Sequence, residues 1–97
     1  MLVDINEYAE GAVLLDGLES AIVGIVEDFG SPGRKMLYSK QKILNILQER
    51  DLMTYGEAEE FYDYNILGLY AGELNAVFLD LEIRPIKKDD GWEYQLK

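Results

Sequence analysis

Cysteine and histidine are both missing from this 97-residue chain. Without cysteine there are no disulfides, no thiolate nucleophiles and no cysteine-held metals. Without histidine, the usual neutral-pH general base and the commonest metal ligand are gone as well. Basic residues are also scarce. Nine Lys and Arg stand against nineteen Asp and Glu, a formal charge of −10. A field of that sign repels phosphate backbones, which disfavours direct binding to DNA or RNA. No apolar run approaches the ~20 residues of a membrane-spanning helix, so no membrane partner is expected. Met1 is followed at once by Asp4, Glu7 and Glu10 and not by the apolar stretch of a secretory leader. The expectation is a cytoplasmic acidic protein with one domain over residues 1–97.

What is present is best organised between Met53 and Ile83. Thr54 and Glu57 have the spacing of a capping box, which predicts a helix start there. Beyond it, Ala58, Phe61, Tyr62 and Asn65 follow the i, i+3, i+4, i+7 pattern of a buried face. Glu59, Glu60 and Asp63 fall on the opposite, solvated side. From Val77 to Arg84, the residues Val77, Leu79, Leu81 and Ile83 alternate with Phe78, Asp80, Glu82 and Arg84. That period of two predicts a strand with the aliphatic set in the core. Phe78 is then the exception on the wet face. Gly68 and Gly72 read as helix-stop or turn positions between the two.

Elsewhere the signals are shorter. Residues Leu2 to Ala9 suit a short helix or an extended arm, and Ala12–Leu15 a brief strand ended by the Asp16-Gly17 turn. One irregular or helical turn through Leu18–Ser20 precedes Ala21–Val26, continuously apolar and fit for a central strand, with Gly24 marking a bulge or a close approach. Pro32-Gly33 suits a type II turn, and Met36–Tyr38 a returning antiparallel strand. Ser39 can cap a helix running to about Arg50, with Ile43, Leu44, Ile46 and Leu47 as its apolar stripe. Ile86–Gly91 reads as a loop whose Asp90-Gly91 signals a hairpin, before a last strand from Trp92 to Lys97. The sum is an α+β fold: a mostly antiparallel sheet of four or five strands with two helices packed on one face. Its expected core includes Ile43, Leu47, Phe61, Tyr62, Val77, Leu79 and Leu81.

Catalytic tools are few. Carboxylates, Tyr, Lys, Ser and Thr remain, and Asp80 with Glu82 on one strand face could pair as acid and base or hold Mg²⁺. Solvated strand charges are far commoner. No phosphate-cradling loop, G-x-S-x-G or EF-hand spacing occurs, so no cofactor, metal or catalytic residue is assigned. Two helices on a short link invite a helix-turn-helix reading, but the second carries Glu57, Glu59, Glu60 and Asp63 and no Lys or Arg. A recognition helix needs donors for phosphates and bases. Tyr supplies seven of the eleven aromatics. Four of them, Tyr55, Tyr62, Tyr64 and Tyr70, lie close together among carboxylates, which suits a protein-binding surface. The candidate binding residues are therefore Glu59, Glu60, Asp63, Tyr64, Asn65, Tyr70 and Glu73.

The run Met53-Thr54-Tyr55-Gly56-Glu57-Ala58-Glu59-Glu60-Phe61-Tyr62-Asp63-Tyr64-Asn65-Ile66-Leu67-Gly68-Leu69-Tyr70-Ala71-Gly72-Glu73, together with Asp16–Ile25, resembles segments of small, mostly uncharacterised acidic proteins of tailed bacteriophages. The similarity spans residues 13 to 79. Gly56 replaces an acidic residue and Ala76 a Pro of that pattern. The charge balance and the Tyr-rich segment favour binding to a host or defence protein, with the acidic face occupying a basic groove as a nucleic-acid mimic does. The resemblance implies an accessory protein acting in a bacterial cytoplasm. It carries over no catalytic residue. A small enzyme or ligand-binding domain using Tyr and carboxylates of the 64–73 link, or a virion-associated structural role, are the rival readings. Homo-oligomers remain open.

Overall fold

The computed structural model describes residues 1–27, 33–70 and 76–97. The fold is α+β, with five strands in two sheets, two helices of seven residues or more and shorter helical turns among the described residues. Asp4 caps a one-turn helix, α1 (Ile5–Tyr8), by accepting from the Asn6 N–H. A 3-10 turn at Glu19–Ala21 leads into β1 (Ile22–Val26), which pairs antiparallel with β2 (Lys35–Ser39). The helices α2 (Lys40–Arg50) and α3 (Tyr55–Phe61) follow, then a π-helical turn (Tyr62–Leu67) and the short α4 (Gly68–Tyr70). Next come β3 (Ala76–Leu79), β4 (Ile83–Lys88) and β5 (Gly91–Leu96).

In the first sheet β2 is the middle strand, antiparallel to β1 and parallel to β3. Parallel neighbours need a crossover, and all the chain from α2 to α4 serves as that connection. The Pro32-Gly33 turn and Gly72 fall at or beside residues 28–32 and 71–75, outside the described residues, although Gly33 itself has φ 100. Met36 and Tyr38 on one face of β2 are fully buried against Ile43, Leu44 and Leu47 of α2, Ala58 of α3, and Tyr62 and Ile66 of the π turn. Both helices start where their caps say. Ser39 Oγ accepts from the Lys42 N–H at 3.3 Å. Thr54 Oγ1 accepts from the Glu57 N–H, and the Glu57 carboxylate accepts from the Thr54 N–H.

Several expectations change. The apolar Ala21–Val26 run forms an edge strand, and the central position goes to β2, because the crossover delivers β3 to β2's other side. The bulge is real: the register slips between Ile22 and Gly24 and turns Val23 outward. Residues 12–15 make no strand. Their backbone bonds a side chain instead, the Tyr38 hydroxyl, which accepts from the Leu15 N–H at 2.8 Å and donates to the Val13 carbonyl at 3.2 Å. The long 77–84 strand divides into β3 and β4, with Asp80–Glu82 outside both.

In β3 the faces are inverted. Pairing of Met36 with Ala76 and Tyr38 with Phe78 puts Ala76 and Phe78 on the core side. Phe78 meets Tyr38 at 5.9 Å and Tyr62, edge-on, at 5.7 Å between ring centroids. Val77, Phe78 and Leu79 are each half-buried, Phe78 against the buried cluster, and Leu81 is exposed. A one-residue change of register exchanges the two faces of a strand. Residues 86–88 belong to β4, so the hairpin loop is only Asp89-Asp90.

Candidate protein-binding surface

The second helix begins on a strained link. Leu52 has φ 58, a left-handed conformation that favours Gly, and its side chain is 84% exposed. The Met53 N–H returns to the Leu47 carbonyl at 3.3 Å and closes the end of α2. From Thr54 onward Ala58, Tyr62 and Ile66 form the buried stripe. Phe61 and Asn65, expected in that stripe, are exposed, Phe61 by 37%. For Asn65 the cause is the π turn, in which the Gly68 N–H reaches back five residues to the Asp63 carbonyl; Phe61 precedes that turn and lies at the edge of the stripe. A wider turn shifts the phase of later side chains. Gly68 is not a helix stop: its φ of −64 is helical, and a Cβ there would lie 3.1 Å from the Asp63 carbonyl oxygen.

Beside the exposed Phe61 lies a shallow groove of about 280 Å³ lined by Met53, Glu57, Glu60, Phe61, Tyr64 and Asn65. Three of the expected binding residues, Glu60, Tyr64 and Asn65, thus come together. Glu59 and Asp63 do not line it; one turn apart, they form a separate acidic stripe, with Glu59 half-buried. Glu73 and the side chain of Tyr70 lie outside the described residues. Sequence patterning missed Leu52 and Phe61 as surface. Leu52 carries no motif, and helical spacing places Phe61 in the core stripe.

The electrostatics are one-sided, since residues 53–67 contain four carboxylates and no Lys or Arg. Glu57 has its carboxyl held below the usual range by the backbone and hydroxyl of Thr54. Tyr62 has its phenol pushed up to about 12, mainly by burial and then by Asp80 and Asp63. Burial likewise raises Tyr38. Both shifts keep the hydroxyl neutral and so describe core residues, not activated nucleophiles. Asp80 and Glu82 do not act as a pair: Asp80 meets Lys40 at 3.4 Å and Glu82 meets Lys97 at 3.6 Å.

Among the described residues no three Asp or Glu converge to hold a metal ion, and no helix is long and apolar enough to cross a membrane. An aromatic groove edged by carboxylates can take an Arg or Lys side chain, stacking its stem or guanidinium on a ring while an acid meets its charge. Comparison with protein-family models, curated proteins and solved structures finds no match to this chain.

Proposed function

We propose that this chain is a binding protein of the accessory kind found in tailed phages, acting on a basic surface of a host or defence protein. The observation that carries this reading is the groove beside α3, where Phe61 and Tyr64 lie open between Glu57 and Glu60. Exposed aromatics with low entropy cost supply affinity at interfaces, and the surrounding carboxylates select a cationic partner. Leu52 supports the same reading. A large apolar side chain in a left-handed, solvent-exposed position is unfavourable in the free protein on both counts, and a partner covering it would recover its apolar area.

Capture from bacterial lysate with mass spectrometry names the partner, and kinetics then test the face. Replacing Glu59, Glu60 and Asp63 with Gln, Gln and Asn removes three charges while leaving the core stripe untouched. Association at low salt is expected to slow by roughly tenfold, and wild-type association to slow as salt rises. A triple variant that associates at the wild-type rate, with neither protein responding to salt, would refute the acidic-face reading.

A further inference from the structure

The β4–β5 hairpin meets the rest of the molecule at its base, where Leu96 and Lys97 share a groove with Val23, Lys42 and Leu79. Neither of its strands pairs with the three-stranded sheet. It is tied at its base by a bond from the Lys97 N–H to the Glu82 carbonyl at 3.0 Å and by the Lys97–Glu82 ion pair. The Cα radius of gyration is 15.5 Å, against about 12.5 Å for a compact chain of this length. A two-stranded hairpin is marginal in water unless something packs on it.

The pairing shows what is uncovered. Ile83 faces Leu96, Pro85 faces Tyr94 and Lys87 faces Trp92, so these six share one side of the hairpin. Trp92 is 58%, Tyr94 66% and Leu96 67% exposed, and Ile83 is more than half exposed. Lys87 lies with its ammonium 5.2 Å from the Trp92 ring centre. Trp and Tyr each bury about 150–250 Å² when covered. With Ile83, Leu96 and the neighbouring Leu81, this face can hide several hundred Å² per copy, near the roughly 800 Å² per partner of a standard interface.

Charge indicates the occupant. Residues 83–97 carry Arg84, Lys87, Lys88 and Lys97 against Asp89, Asp90 and Glu93, formally +1 on a chain of −10. So nearly neutral a segment lets two such acidic molecules approach through it with little like-charge repulsion. The same patch can meet itself across a twofold axis, as an isologous contact requires. Pro85 supplies no N–H for a further strand along β4, which favours contact through the face over pairing at that edge. We infer that this protein forms a symmetric homodimer in which the Trp92-Tyr94-Leu96 faces of two hairpins pack on each other. The acidic groove beside α3 stays free in that dimer, so this inference does not depend on the proposed partner.

Trp92 is the sole tryptophan, so its fluorescence reports this interface alone. Sedimentation of the full chain over a dilution series is expected to show a monomer–dimer equilibrium, with Trp emission shifting to the red as the dimer dissociates. Trp92→Ala is expected to raise the dimer Kd by roughly 30-fold or more while the melting curve of the body persists. Arg84→Glu with Lys88→Glu changes charge on the opposite hairpin face only. It is expected to weaken the dimer at low salt and to regain it at high salt, because screening removes the added repulsion. A chain that stays monomeric to roughly 1 mM, or a dimer indifferent to Trp92→Ala, overturns the inference. So does a monomer that cosediments with lipid vesicles through this face.

Discussion

Leu52 and Thr54 sit two residues apart and act in opposite directions on the free protein. Leu52 is held at φ 58 with its side chain in water, and left-handed backbone costs a non-Gly residue about 1–2 kcal/mol. Leu52→Gly is therefore expected to stabilise the fold by about 1 kcal/mol and to weaken partner binding. Denaturant melts and affinity measured side by side check both halves; a loss of stability would mean the conformation is not strained. Thr54 satisfies backbone donors at the start of α3. Thr54→Ala is expected to destabilise by about 1 kcal/mol, and a melt superimposable on wild type would contradict the role. Because bonding to Thr54 lowers the Glu57 pKa, the cap contributes fully above the ordinary Glu range and is lost as pH falls through the folded value.

At the scale of elements, one helical step separates Phe61, at the end of α3 and the edge of the buried stripe, from Tyr62, at the start of the π turn and inside it. Adjacent in sequence and similar in size, they take different environments: Tyr62 is 3% exposed and stacked edge-on with Phe78, while Phe61 lines the groove. Tyr62→Ala is expected to cost about 3–5 kcal/mol, the usual penalty for removing a buried ring. Phe61→Ala is expected to cost about 1 kcal/mol or less in stability, with its main effect on partner dissociation. Equal losses in the two melting curves would place Phe61 in the core after all. The crossover from β2 to β3 has a comparable effect on the sheet. It fixes which of two alternating sets on β3 meets Tyr38, and it selects Ala76 and Phe78.

Across the whole molecule, the buried tyrosines bind the parts together and set an alkaline limit. Tyr38 joins the 12–15 segment to the sheet through two backbone bonds, and Tyr62 joins the π turn to Phe78. Tyr62 ionises at about 12 in the fold against 10.0 ordinarily, and Tyr38 is also raised. A raised pKa means the folded state favours the protonated phenol. That stabilisation is complete below pH 10 and is lost as pH rises towards 12. The unfolding midpoint is expected to fall over this window, with the last tyrosinate absorbance appearing together with loss of structure. Tyr62→Phe should flatten the slope. A midpoint independent of pH across the window would contradict the burial of both phenols.

The sequence by itself determined the features whose causes lie within about four residues. Ser39 and Thr54 start the helices because each oxygen reaches an amide three residues ahead. Ile43, Leu44 and Leu47 share a buried stripe because a regular helix repeats that spacing. The bulge at Gly24, the turn at Asp16-Gly17 and the hairpin before Trp92 are similarly local, and together they suffice for the α+β class. The acidic character of the second helix was legible too, since charge needs no fold to be counted. Tertiary structure alone decided that β2 is central, that Phe78 and not Val77 packs against the core, and that Ile66 and not Asn65 is buried. Those outcomes depend on strand pairing with residues some forty positions away and on one widened helical turn. In a strand or helix, a shift of a single residue rotates every later side chain to a new face, and no local pattern records that shift.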